Sequence, residues 1–392
     1  MNETTTYGSI CTGYDGIGKG LTLAGAVGRT AWVAENEDAV ARLLKRELQP
    51  DVPNLGDIKI ADWQSVPSVQ VMSSGDPCQS ISIAGRREGR ADPRFLWPWV
   101  RAAYRAMRPD VIFFENVANI VGHDGGRTLA ERFAHLREDG YAVRWTVLGA
   151  CAVGAPHHRH RWYAVATRVG RWAGVTPECV RVGAKALCGA PRSGGRRLLP
   201  TPDSSMSTRG GLLSAPMALK RLADPGRSSN LDDAVASLLP TPCARDGDGR
   251  GEGSVEFWQR REGRRGSKES PPLGAVVNLL PTPKASDGSN GGPNSRDGAG
   301  NYYLPGIAAR PEVWGKYADA IALWEQITGM PAPEPSEPGT RGGRRLSAAL
   351  PEWMMGLEPG FLTAEMTRPE ALKAAGNGVV PLAAAAAWRM LS

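Results

Sequence analysis

No stretch of this 392-residue chain is apolar for long enough to span a bilayer, and no charged-then-apolar leader opens it. The expectation is a soluble, cytoplasmic protein. Cysteine is scarce: six residues, at 11, 78, 151, 179, 188 and 243, form neither CxxC pairs nor a dense framework. That spacing excludes a disulfide scaffold, argues against a zinc site and fits reduced thiols, so no metal is expected. Acidic residues are outnumbered, 40 against 47 Lys and Arg, which leaves a net charge of +7 and a pI near 9.2. A basic balance suits a polyanionic partner without proving one. What is present is 41% hydrophobic residues, enough for a real core, in a length that accommodates two domains.

The chain is organised around Gly75-Asp76-Pro77-Cys78-Gln79-Ser80, where the apolar run from Val69 to Met72 breaks into a loop. A strand ending in a Pro-Cys turn presents a nucleophile at the carboxyl edge of an open α/β sheet, where reactive groups usually sit. A free cysteine is more often a small buried hydrophobe. Here the flanking Asp, Pro, Gln and Ser are poor core formers, and a cationic loop follows with Arg86, Arg87, Arg90 and Arg94.

The first strand-like run, Tyr7 to Thr12, opens into Gly13-Tyr14-Asp15-Gly16-Ile17-Gly18-Lys19-Gly20 and then a helix-compatible segment, Leu21 to Ala26. Glycines between a first strand and a first helix let backbone approach a nucleotide. A second strand, Thr30 to Ala34, ends at Glu35, about 20 residues after the glycines, where an acid can take the two ribose hydroxyls. Gly56-Asp57-Ile58 supplies another carboxylate. Helical spacing over Phe95 to Met107 stops at Arg108-Pro109. The fully apolar Val111 to Phe114 reads as a buried parallel strand and terminates in Glu115-Asn116-Val117. A helix from Arg127 to Glu138 and a strand from Ala142 to Leu148 lead to the basic cluster His157-His158-Arg159-His160-Arg161, and Trp162 to Ala166 resumes the strand pattern.

From about residue 170 glycine, proline and arginine rise, and one phrase returns three times: Leu198-Leu199-Pro200-Thr201-Pro202, Leu238-Leu239-Pro240-Thr241-Pro242 and Leu279-Leu280-Pro281-Thr282-Pro283. The second and third copies continue to Asp246-Gly247 and Asp287-Gly288. A period near 40 signals repeated supersecondary units, and the prolines forbid continuous helix. Between 171 and 345 there are 24 Lys and Arg against 18 Asp and Glu, so this half carries most of the positive field. An acidic proline-rich linker, Pro331 to Gly339, precedes a closing segment with Gly376-Asn377-Gly378-Val379-Val380 and an Ala-rich helix.

In content and order these motifs resemble the DNA cytosine-C5 methyltransferases of the phage or restriction-modification type, over 1–170 and 340–392. The resemblance implies an α/β fold: a Rossmann-like S-adenosylmethionine-dependent methyltransferase domain over 1–170, a smaller loop-rich target-recognition domain over 171–335 with the repeats, and a 340–392 segment returning to the catalytic domain. It implies a cofactor site from Thr12, Gly13, Tyr14, Asp15, Gly16, Glu35, Asp57, Ile58, Pro77, Asn377 and Val379. Cys78 is implied as nucleophile and Glu115 as the group at cytosine N3, with Arg159 and Arg161 as the paired arginines. Gln79, Ser82, Arg86, Arg87, Arg90 and Arg94 are implied to meet DNA. The cofactor is S-adenosylmethionine and the partner double-stranded DNA, with room for a cognate restriction endonuclease acting separately. The protein is expected to act as a monomer. The sequence departs from the family pattern at His157, where Gln is usual, at Asp15, which interrupts a Gly-Gly, and at Gly378, where serine or alanine is common. A catalytically silent DNA-binding protein would need a lesion in a motif, and a tRNA cytosine methyltransferase would be expected to lack so long a repeated insert.

Overall fold

The computed structural model describes residues 5–76, 96–170, 179–181, 278–289, 292–298, 300–339 and 343–392. The chain divides into two compact units, Met1–Gly183 with Leu279–Ser392, and Ala184–Asn278. The second lies almost wholly outside the described residues.

The first unit is built on a seven-stranded sheet. Strands β1 (Thr6–Ile10), β2 (Arg29–Ala34), β3 (Val71–Ser74) and β4 (Val111–Val117) run parallel in the order β2-β1-β3-β4. Beyond β4 come β6 (Arg161–Arg168), β5 (Tyr141–Leu148) and β7 (Cys179–Arg181), with β6 antiparallel to both β4 and β5. An apolar run covered on both faces explains the buried β4, while β3 also buries Ser73 and Ser74, whose hydroxyls are satisfied by the Tyr7 hydroxyl and by Asp76 Oδ1. Among the described residues, four α-helices belong to this half: α1 (Gly16–Leu23), α2 (Asp38–Glu47), α3 (Trp97–Met107) and α4 (Arg127–Glu138). The aromatic side chains Trp32, Trp97, Tyr104 and Phe114 are buried in one core cluster beside the sheet.

After residue 279 the described chain adds α5 (Leu304–Ala308), α6 (Pro311–Trp314), α7 (Ala318–Thr328), a short antiparallel pair β8 (Ser336–Pro338) and β9 (Arg344–Leu346), and then α8 (Ala349–Met354), α9 (Arg368–Asn377) and α10 (Pro381–Leu391). Helix α9 is capped by Thr367 and Glu370 in a reciprocal box, with Pro369 in its first turn. The alanines of α10 let it press against α1: a Cβ on Gly20 would stand 2.7 Å from both the Ala384 Cβ and the Pro381 carbonyl. Among the described residues, no helix is long and apolar enough to cross a membrane.

The third copy of the repeated phrase falls in this unit, so the unit resumes at Leu279 and not beyond the expected boundary at 335. The physical reason is local. Leu280 is buried and its N–H donates to the Pro156 carbonyl at 2.7 Å, while Asp287 is buried and accepts the Lys284 N–H at 2.8 Å.

Candidate functional site

A cleft of about 640 Å³ opens at the carboxyl ends of β1 to β4. Its first wall is the turn after β1, where Cys11, Gly13 and Asp15 all take positive φ, at 51°, 55° and 63°. No described residue lies within 4 Å of where a Gly13 Cβ would be, and the positive φ of the backbone calls for glycine there. The Gly13 N–H donates to Glu35 Oε2 at 2.8 Å, and the Glu37 N–H donates to Glu35 Oε1 at 2.9 Å. Glu35, at the end of β2, is thereby fixed at the cleft with its carboxyl raised above the usual range, burial outweighing those donors.

Of the other residues expected at the cofactor, Tyr14, Asp57, Ile58 and Asn377 line the cleft with Gly13 and Glu35. Thr12 turns its hydroxyl back to the Ser9 and Ala34 carbonyls. Asp15 is buried as the residue before α1, and Gly16 packs against the Val379 carbonyl. Val379 contributes through that carbonyl, which accepts the Tyr14 hydroxyl at 2.7 Å. Pro77, Cys78, Gln79, Ser82, Arg86, Arg87, Arg90 and Arg94 lie outside the described residues.

Glu115 sits near the end of β4, one strand from β3, and is buried. Its Oε1 is 2.7 Å from Arg161 Nε, an ion pair whose geometry is not aligned as a hydrogen bond. Arg161 opens β6 directly opposite Val117, so the antiparallel register delivers the guanidinium to the acid. Burial lifts the Glu115 carboxyl above its usual range against the pull of Arg161 and Arg159. Arg159 takes a different path. At φ 34° it turns into the protein, where its guanidinium donates to the backbone carbonyls of Gly376 at 2.9 Å, Pro283 at 3.3 Å and Gly378. Its own N–H donates to Thr282 Oγ1 at 3.3 Å. Both arginines line the cleft, one paired with an acid and the other tying three backbone segments together. His157 is fully buried against the Met354 carbonyl at 3.1 Å, and burial depresses its pKa to about 3, so it stays neutral.

Sequence reasoning misses three features of the site. Asp76, two residues before Cys78, is buried in an ion pair with Arg132 of α4 at 2.7 Å, and its carbonyl accepts Asn116 Nδ2 at 3.0 Å. The one signal for it is an arginine on the inner face of an amphipathic helix. Thr282, Pro283, Lys284 and Ala285 also line the cleft, although their repeat is expected to serve recognition. Cys11 lines it too, but burial, reinforced by Asp76, Glu35 and Asp57, pushes its thiol well above the usual range and disfavours the thiolate.

Residues 5–182 match the C-5 cytosine-specific DNA methylase family model. Among curated relatives, Type II methyltransferase M.NlaX of Neisseria lactamica is 40% identical over 111 residues, 28% of this chain and 36% of the relative. Type II methyltransferase M.Bsp6I of a Bacillus strain is 34% identical over 166 residues, 41% of this chain and 51% of the relative. The matches thus span about a third to a half of those relatives' length. Over nearly the whole chain, 99% of each partner, the fold is similar to that of a DNMT2 mutant from Spodoptera frugiperda, with a TM-score of 0.52 at 13% identity. That likeness speaks for the α/β methyltransferase fold alone. Over residues 5–182, somewhat less than half of its length, this chain is similar to the C-5 cytosine-specific DNA methylase family.

Proposed function

We propose that the protein is an S-adenosylmethionine-dependent DNA (cytosine-5)-methyltransferase acting on a cytosine turned out of the duplex. The observation that carries the reading is Glu115: a buried carboxyl with a raised pKa, ion-paired to Arg161, in a cleft shared with Glu35. A carboxyl biased toward its protonated form is suited to sit against N3 of cytosine and lend it a proton as C6 is attacked. Such general acid assistance contributes roughly 10²- to 10⁴-fold. Arg161 keeps the acid oriented and lets it return to carboxylate.

The cleft fits the cofactor. Glu35 is held by two backbone N–H groups and keeps lone pairs for a ribose diol, and Ile58 gives an apolar surface for a base. Gly75 belongs to the floor, where a Cβ would come within 3.2 Å of the Cys11 carbonyl and 3.9 Å of Glu115 Oε2. S-adenosylmethionine supplies an electrophilic methyl group there when bound. Cys78, as thiolate, would add to C6; C5 would take the methyl group as its bond to the cofactor's sulfonium breaks and the neutral thioether departs; a base would then remove the C5 proton, and the thiolate would be expelled as the C5–C6 double bond re-forms. A stacked base exposes none of this chemistry, so the cytosine must be flipped. Gln79, Ser82, Arg86, Arg87, Arg90 and Arg94 are proposed to meet the DNA around it. The protein is proposed to act as a cytoplasmic monomer, with any companion endonuclease acting separately.

Methyl transfer from labelled cofactor to duplex DNA, compared with tRNA, tests the substrate. Duplex containing 5-fluorocytosine at the modified position should leave a complex stable to denaturant, because fluorine cannot depart as a proton does. Cys78→Ser should form no such complex. Equal labelling of tRNA would overturn the substrate, and an adduct that survives Cys78→Ser would overturn the nucleophile.

A further inference from the structure

The basic turn before β6 contains two alternating sets of side chains. Arg159 and Arg161 go to the carbonyl cluster and to Glu115. His158 and His160 go to a different neighbour, Cys151, in the single turn Ala150–Val153 after β5. One sulfur and two imidazole nitrogens, from Cys151, His158 and His160, all lie within 4.8 Å of one another. The Cys151 sulfur is 3.9 Å from His158 Nδ1, and the two imidazoles are 5.6 Å apart at their centroids. We propose that Cys151, His158 and His160 form a three-ligand site for a divalent ion of the zinc class, with the fourth position open to water.

Donor chemistry argues for that ion. One thiolate and two imidazoles select zinc and similar borderline or soft ions over magnesium or calcium. Tetrahedral zinc, with bonds of about 2.3 Å to sulfur and about 2.0–2.1 Å to nitrogen, sets its ligand atoms roughly 3.3–3.6 Å apart. The sulfur–nitrogen pair is already close to that spacing. Cys151 is buried while both histidines are half-buried, so an ion enters from the imidazole side. On binding, the Cys151 proton leaves to solvent as the sulfur–metal bond forms, the two neutral imidazoles give lone pairs, and no oxidation state changes.

The frame of the cluster is tight. A Cβ on Gly149 would stand 2.9 Å from His160 Cδ2 and 3.1 Å from the Cys151 sulfur, so glycine is what admits the two side chains together. The Ala150 N–H donates to the His158 carbonyl at 2.7 Å, which fixes the two ends of the loop. An ion there ties 151 to 160 and with them the backbone that aims Arg159 and Arg161. Cysteine spacing alone argues against zinc, because no cysteine pair has zinc-site spacing. The donors come instead from one cysteine and two histidines seven and nine residues on.

The test uses full-length protein stripped with chelator, then titrated with cobalt(II) and with zinc(II) against a chromophoric competitor. The wild type should take up one cobalt with a thiolate-to-metal charge-transfer band, which zinc then abolishes. Cys151→Ser should lose the band, and Cys243→Ser should keep it. His160→Asn should weaken zinc by about tenfold or more, since even outer partners of a metal ligand are worth 10- to 100-fold. Zinc should raise the melting temperature of the wild type and not that of His160→Asn. No charge-transfer band in the wild type, or equal zinc affinity in the wild type and His160→Asn, overturns the site. Should Cys151→Ser fail to fold, the half-buried His160→Asn decides alone.

Discussion

At the scale of single residues, Asp15 has the most testable chemistry. It is buried, one carboxylate oxygen has no hydrogen-bond partner among the described residues, and its backbone is left-handed at φ 63°, ψ 31°. Burial pushes its pKa up to about 7, with only Lys19 and the Gly18 N–H drawing it down. A carboxyl that binds its proton more tightly when folded makes the protein lose stability as pH rises from the unfolded value near 4 to the folded value near 7. Above that range the loss is complete and constant. Asn tolerates the left-handed region and carries no charge. Asp15→Asn should therefore gain stability over the wild type between pH 5 and 8, by a few kcal/mol at most, at about 1.4 kcal/mol per pKa unit. Thermal unfolding of both proteins across that range checks it. A difference that does not change with pH would show that Asp15 is already ionised in the fold.

Elements show which contacts local sequence can specify. The apolar run at 111–114, the strand-like segment at 142–148 and the helical period over 127–138 announce β4, β5 and α4, because each pattern is complete within its own segment. Direction is not legible: nothing within 162–166 says that β6 runs against β4, yet that reversal brings Arg161 to Glu115. Helix α2 is not among the expected elements, although Ala39, Val40, Leu43 and Leu44 form its buried face at amphipathic helical spacing and its outer face is charged, a pattern that is itself legible in the sequence. Asp76 and Arg132 are invisible for a general reason, since charges default to the surface until a partner across the fold is known. The repeats fail in the same way. Three near-identical phrases cannot declare which one has Pro156, Arg159 and Gly376 for neighbours.

That junction yields a prediction for helix α9. A Cβ on Gly376 would run into the backbone of Lys284 and Ala285, which cannot swing aside as a flexible side chain would. The same residue gives its carbonyl to Arg159 and lines the cleft. Gly376→Ala should cost roughly 1–3 kcal/mol, as overpacking does. It should also weaken S-adenosylmethionine binding about tenfold, since 1.4 kcal/mol is a factor of ten in affinity. Calorimetric titration and thermal unfolding check both. Unchanged binding in a destabilised variant would separate the junction from the cleft, and unchanged stability would refute the close approach.

At the scale of the whole molecule, the division of the chain decides where base recognition is to be sought. The unit built on the sheet has its described cleft residues around the proposed cofactor site and a buried acid, and reading several base pairs takes side chains presented on loops or strands, with phosphate contacts to set register. The separate unit Ala184–Asn278 contains two of the three repeated phrases. The third, from Leu279, is built into the cleft wall through Thr282 and Pro283. We propose that recognition belongs to 184–278 and that the third copy is scaffold for the cofactor unit. Exchanging 184–278 for the insert of a relative should change which cytosines are methylated and leave S-adenosylmethionine affinity within a few-fold. Exchanging 198–300 should do worse, because it removes the partners of Arg159 and of Gly376, and the chimera should bind cofactor weakly and melt early. Bisulfite sequencing of host DNA and cofactor titration read the two outcomes. A 184–278 chimera that kept the parent methylation pattern would place specificity in the first domain's own loops, around Cys78, and a fully functional 198–300 chimera would mean that another repeat can take the place of Leu279 to Gly288 against Arg159.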